Sequence, residues 1–140
     1  MASTENKKKT ILALNVGSTS IKSRVFVFWG DKEKEIFSWS KGGLDSPNGH
    51  RKALDELKNG LIRRGMLAKI VAVGHRVVHG GPIKSGRLIS AKEINVIRRC
   101  SQLAPLHNPF NLLGIQEAAR WGQKIVQAAV FDTAFFSCLP

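Results

Sequence analysis

The 140-residue sequence predicts a single α/β domain with a mixed sheet that opens on a three-stranded antiparallel meander. Three observations predict it. Three β-rich runs come first and are joined by short links. Helical periodicities then alternate with apolar runs suited to buried strands. Hydrophobic residues make up 43% of the chain, enough for a packed core and too many for a disordered one.

The elements follow in order. Residues 10–16 (T-I-L-A-L-N-V) read as a buried strand. Residues 20–29 are rich in β-branched and aromatic side chains and read as a second strand, Gly30-Asp31 as a turn, and residues 35–40 as a third strand. Residues 42–49 cluster Gly, Asp, Ser, Pro and Asn and read as a loop. In residues 51–64, Leu54, Leu57, Leu61 and Ile62 mark one face of a helix that Gly65 ends. Residues 69–78 begin as a buried strand. Ser90 and Glu93 have capping-box spacing ahead of a helix carrying Ile94, Ile97 and Ser101 on one side. After a break at residues 104–108, Asn108-Pro109 reads as an N-cap with proline behind it, and Leu112, Ile115 and Ala119 mark an apolar helix face. Residues 125–131 form a last buried strand, giving the order βββ-α-β-α-α-β. The sequence closes on apolar residues 134–140, which predicts that this end docks against a further domain.

The net charge of +12 sits in three places. Lys7, Lys8 and Lys9 belong to a flexible basic leader over residues 1–9; the other excesses lie in residues 51–69 and 84–99. No aromatic platform or recognition motif accompanies them, so they read as solvated helix faces, with nucleic acid an unlikely partner. The same field draws anionic substrates. Cys100 and Cys138 have no metal or redox spacing and read as reduced buried thiols of a cytoplasmic protein. No apolar run is long enough for a signal peptide core or a membrane span.

Four short stretches carry candidate chemistry. In N-V-G-S-T-S-I-K, residues 15–22, a glycine admits close backbone approach and three hydroxyls add donors. Asn15 can accept from a hydrated metal ion and Lys22 can meet a phosphate. By itself this stretch is described at least as well by a hairpin link rich in turn formers. In V-G-H-R-V-V-H-G-G, residues 73–81, Arg76 can clamp a carboxylate or phosphate bidentately between His75 and His79. Two histidines and an arginine at a glycine-rich strand end favour function over an ion pair with two satisfied rings. In A-P-L-H-N-P, His107 precedes a helix N-terminus, where an anion is favoured; a plain loop histidine is the equal alternative. Asp132 follows the last strand, a common place for metal-linked or base chemistry and also for a capping carboxylate.

Together these four motifs, in this order and spacing, resemble the acetate kinases over residues 10–140. The resemblance implies a ribonuclease H-like domain of the acetate and sugar kinase, Hsc70 and actin superfamily, here the N-terminal domain with the C-terminal one absent. It implies reversible phosphoryl transfer from ATP to acetate with Mg²⁺, giving acetyl phosphate and ADP, in a family that is usually homodimeric. Such transfer rests mostly on positioning and charge stabilisation. By resemblance, Arg76 holds the acetate carboxylate and the transferring phosphoryl, His107 bonds the phosphoryl, and Asp132 lies beside the metal and reacting oxygens. Asn15 helps order Mg²⁺; Ser18, Ser20 and Lys22 line the phosphate side; Val78 and Leu106 wall a methyl pocket. Valine rather than alanine at 78 leans towards acetate over propionate, by about 1–3 kcal/mol per methylene. The two histidines beside Arg76 then serve to brace the strand.

The chain departs from the family in ways that bear on activity. The family is much longer, with the adenosine pocket, a second arginine, another histidine and a metal-linked glutamate in the second domain. Phe136 stands where the family usually has histidine, and Ser137 and Cys138 where glutamine and threonine commonly follow. The segment between the third strand and the first helix is short. The expectation is therefore a fragment inactive alone. The alternatives are a propionate kinase fragment, a non-catalytic dimerisation or regulatory remnant and, least favoured, a basic nucleic-acid-binding domain.

Overall fold

A computed structural model describes residues 7–78, 80–81, 87–122 and 124–131. The meander is present as β1 (Lys9–Val16), β2 (Ile21–Trp29) and β3 (Lys32–Lys41). Its pairings run from Lys9↔Phe28 to Val16↔Ile21 and from Ile21↔Lys41 to Trp29↔Lys32, all antiparallel. Gly30, at φ 58°, supplies the left-handed backbone of the tight link between β2 and β3. After α1 (Pro47–Arg63), β4 (Ile70–Val77) lies parallel to β1 on its free side. The remaining elements are β5 (Arg87–Leu88), α2 (Ala91–Arg99), α3 (Asn108–Ala118) and β6 (Val126–Phe131), with β6 parallel to β4. The sheet order β3-β2-β1-β4-β6-β5 is mixed, as expected of a ribonuclease H-like domain.

The strands alternate, and one face is apolar. Leu12, Leu14, Val16, Ile21 and Val25 meet Leu54, Leu57 and Leu61 of α1 in one core cluster. Val77, Ala129 and Phe131 meet Val96 and Ile97 of α2 and Leu112 and Ile115 of α3 in a second. Nearly all of α3 is buried, because it is wedged between the sheet and the other two helices. The opposite face of the sheet presents Ala13, Arg24, Arg76, Val126 and Val130, all exposed.

Several boundaries differ from expectation. Lys9 belongs to β1 rather than to the leader. α1 starts inside the expected loop, because the Ser46 hydroxyl accepts from the Gly49 amide at 3.0 Å and Pro47 takes a first-turn position. Ile62 is 50% exposed, since eight residues beyond Leu54 is about 80° around the helix; Ala53 is buried on that stripe instead. The N-cap of α3 is His107, not Asn108. The Asn108 side chain is buried and donates to the Ile97 carbonyl at 3.2 Å, tying α3 to α2. Ala119 is an exposed cap, and Ala118 takes its expected place inside. The Ser90–Glu93 capping box is formed as the spacing predicts. Cys100 is buried, and that burial pushes its thiol up, with Arg99 opposing.

The glycine pair after β4 meets a tight packing demand. A Cβ on Gly80 would stand 2.6 Å from Cγ of the Phe131 ring, which is itself fully buried and unable to withdraw. Gly80→Ala should therefore destabilise the fold by roughly 2 kcal/mol, about 8 °C in melting temperature. Thermal unfolding followed by circular dichroism checks this; an unchanged midpoint rejects the contact.

Candidate functional site

A row of polar side chains crosses the open face of the sheet at the carboxyl ends of β1 and β4. Lys22 pairs with Asn15 across β1 and β2. Leu14 pairs with His75, which makes Asn15 and Arg76 neighbours one residue further on, and Arg76 pairs with Val130. A depression of about 500 Å³ lies over this row, with Asn15, Lys22, Arg24, Gly74, Arg76 and Val130 in its lining. Among the described residues no carboxylate lines it. Arg24 is paired with Glu35 at 3.3 Å. Lys22, Arg24 and Arg76 are exposed around this largely apolar depression, and Gly74, with no side chain, keeps its floor low.

The link from β1 to β2 is held from two sides. The Gly17 amide donates to the Ser20 carbonyl at 2.8 Å, and the Leu44 amide to the Thr19 carbonyl at 2.9 Å. Ser18 and Ser20 are half-buried within it. Fully buried His50, on α1, has Nδ1 2.7 Å from the Ser46 carbonyl and Nε2 2.7 Å from the Gly17 carbonyl. Its ring stacks on Phe110 of α3 with centroids 4.4 Å apart. His50→Gln should cost about 1–2 kcal/mol, because it removes the Phe110 ring contact and displaces the single donor a neutral imidazole offers between the Ser46 and Gly17 carbonyls. Urea unfolding measures this, and amide exchange at Gly17–Ser20 should rise with it.

At the end of β4 the two faces diverge. His75 points to the helix side, 3% exposed, with Nε2 2.6 Å from Oε1 of Gln127. Burial pushes its pKa down to about 4, against the opposing pull of the Gln127 hydrogen bond. It braces β4 against β6, which is the role the sequence assigned it. Arg76 is exposed on the opposite face. Val78 lies just past the strand, half-buried, and its amide donates to Oδ1 of Asn111 at 3.0 Å. Nδ2 of the same side chain donates to the Val16 carbonyl at 2.8 Å.

Leu106, 69% exposed, and His107, also exposed, lie in the turn that enters α3, one helical turn before Asn111. The structure thus sets Asn15, Lys22 and Arg76 side by side. It puts Ser18 and Ser20 in the adjoining turn, and it ties Val78 through Asn111 to the helix that His107 caps. Asp132 lies outside the described residues, as do His79, Phe136, Ser137 and Cys138. Sequence reasoning passed over His50 and Asn111. Both signals were present: His50 falls on the stripe of Leu54, Leu57 and Leu61, and Asn111 sits between Phe110 and Leu112, so each is a polar side chain at a core position.

Among the described residues no group of three or more histidine, cysteine, aspartate or glutamate side chains could hold a metal ion. Asn15 supplies one amide oxygen beside two cations. That donor set is too small to cage a metal ion by protein ligands among the described residues, and would leave an ion mostly bound to water or ligand oxygens. No helix among the described residues is long and apolar enough to cross a membrane.

Comparison with known proteins gives this geometry its family. The Acetokinase family model matches residues 39–140. The acetate kinase of Ectopseudomonas mendocina (strain ymp) is 38% identical, over 94% of this chain and 38% of that protein. The propionate kinase of Klebsiella pneumoniae (strain 342) is 36% identical, over 92% of this chain and 36% of that protein. Among solved structures, a propionate kinase from Francisella tularensis subsp. tularensis SCHU S4 superposes with a TM-score of 0.71 at 30% identity, covering 94% of this chain and 39% of that one. This chain therefore spans less than two-fifths of the length of these relatives. Sequence motifs, sheet order and superposition agree, and the chain belongs to the acetokinase family.

Proposed function

We propose that the chain is the N-terminal portion of a kinase that transfers the γ-phosphoryl of ATP to a short carboxylic acid, acetate foremost, giving an acyl phosphate and ADP. The observation that carries this reading is the Lys22–Asn15–Arg76 row beside the Gly17–Ser20 turn. The reaction brings a carboxylate and a polyphosphate, both anions, to one place. A planar guanidinium at the mouth of the depression can hold the acceptor carboxylate and then the transferring phosphoryl. Lys22, Ser18 and Ser20 meet the phosphate side, and His107 donates to the phosphoryl oxygens from the start of α3. Val78 bounds the acyl group. Asp132, directly after β6, works beside the metal. Asn15 would hold Mg²⁺ through one oxygen, and the ion supplies neutralisation of the phosphate charge when bound.

Residues 10–140 act in this reading as one wall of a cleft whose other wall holds the nucleotide. The chain alone should form no acyl phosphate above background. Incubation with ATP, Mg²⁺ and acetate in the presence of hydroxylamine tests this, and robust acyl hydroxamate formation rejects it. Fused in frame to the C-terminal portion of an acetokinase-family protein, it should turn over acetate; a folded but inactive fusion counts against the catalytic assignment. Propionate is the second reading, favoured by the 36% identity to a propionate kinase. A panel of acetate and propionate on the same fusion separates them, and a higher kcat/KM for propionate would overturn the lean that Val78 suggests.

A further inference from the structure

We propose that Asn111 is a positioning residue that sets the spacing between the phosphate-side turn and the acyl-side strand end; this rests on the proposed function above. Asn111 is 4% exposed. Its amide spans two strand termini: Oδ1 accepts from the Val78 amide at 3.0 Å, and Nδ2 donates to the Val16 carbonyl at 2.8 Å. Val16 is the last residue of β1, directly before Gly17, and Val78 comes directly after Val77, the last residue of β4. These are the neighbouring parallel strands that carry Asn15 and Arg76, and past both ends the ladder no longer fixes their separation. One planar side chain takes over there.

The amide's orientation is dictated. A flipped side chain would oppose NH₂ to N–H and C=O to C=O, so only one arrangement satisfies both strand ends. The close approach also has its own provision. A Cβ on Gly114, one turn along the same face of α3, would stand 2.6 Å from Cγ2 of Val16. Only glycine lets α3 sit close enough for Asn111 to reach the strand ends. Asn111 also begins one turn after His107, whose carbonyl accepts from the Asn111 amide at 2.9 Å. Three of the four motifs therefore meet at one residue: its side chain joins the turn after β1 to the strand carrying Arg76 and Val78, and its backbone amide joins the entry to α3. Leucine at 111 has similar volume and removes both bonds. Aspartate keeps an acceptor for Val78 but sets a second oxygen against the Val16 carbonyl.

The test uses the isotope-labelled chain, with acetyl phosphate as probe and amide exchange at Val78, relative to Val73 inside β4, as the ligand-independent readout. Asn111→Leu should speed Val78 exchange about tenfold more than Val73 exchange and weaken acetyl phosphate binding by a similar factor. Asn111→Asp should leave the Val78 ratio near wild type while disturbing Gly17–Ser20. A folded Asn111→Leu with wild-type exchange and binding overturns the proposal, as does an Asn111→Asp chain whose Val78 ratio rises as far as the leucine variant's. If Asn111→Leu fails to fold, the aspartate variant decides alone. If the wild-type chain shows no response to acetyl phosphate, the Val78 ratio still decides whether Asn111 holds the strand ends, and the functional reading stands or falls on the in-frame fusion.

Discussion

Arg76→Ala should lower acyl phosphate formation by the active fusion on the order of 10³-fold, with the fold intact. The magnitude is that of removing a preorganised donor from developing charge in a water-poor site. The side chain is exposed on an edge of the depression, so stability should move by less than about 1 kcal/mol. Arg76→Lys separates charge from geometry. An ammonium preserves the positive field but offers a single point of contact, whereas the guanidinium presents a planar fork to carboxylate or phosphoryl. The lysine variant should therefore remain at least about tenfold impaired in kcat, with a smaller change in the KM for acetate. Equal rates for all three proteins would reject the assignment of Arg76. A collapse of Tm in step with activity would instead make the arginine structural.

His75 should make stability fall steeply on the acid side. Its pKa is about 4 in the folded protein, set first by burial, against 6.5 for the free side chain. Below pH 6.5 the unfolded chain takes up a proton that the folded chain refuses, so each step down in pH favours unfolding. The loss grows from about pH 6.5 to about pH 4 and then levels, because the folded ring then titrates as well. Over the whole window it amounts to about 3 kcal/mol. The carboxylate of Glu93 is held below its ordinary value of 4.5, first by the Ser90 hydroxyl and then by the Ser90 amide, so its own contribution is lost below that point. His75→Leu should flatten the profile between pH 6.5 and 4.5 relative to wild type, although it leaves Gln127 without its partner at neutral pH. Urea unfolding of both proteins across this range is the measurement. Parallel profiles would show that the ring is not buried neutral.

The element order was legible in the sequence because its signals are local. Alternation over residues 10–16 and the leucine stripe of α1 each sit within one segment, and hydrophobic period alone sets which face is buried. The Ser90–Glu93 box was legible for the same reason: both partners lie within four residues. The N-terminus of α1 was misplaced because its cap Ser46 and Pro47 are also turn formers, and the cap of α3 because a side chain had a use elsewhere. Asn108 looks like a cap, but Ile97, eleven residues away, claims its amide. β5 is two residues long and exists only through its pairing with Ala128 and Ala129, so no periodicity could announce it.

The candidate site divides along the same line. The sequence by itself determined the residue types and their order: a hydroxyl-rich turn after one strand, an arginine near the end of another, and a histidine before a helix. Those are properties of contiguous segments. Only the tertiary structure decided that Arg76 joins Lys22 and Asn15 in one row, because that follows from the register of β1 against β4, which pairs Leu14 with His75 from distant parts of the chain. Only it named Gln127 as the partner against which His75 braces and put Arg76 on the open face, since period two separates neighbours once the core side is known. His50 and Asn111 are the extreme case. Each is a polar group made necessary by backbone carbonyls and amides that strands leave unpaired where they end, a demand that arises only when distant chain ends are brought together.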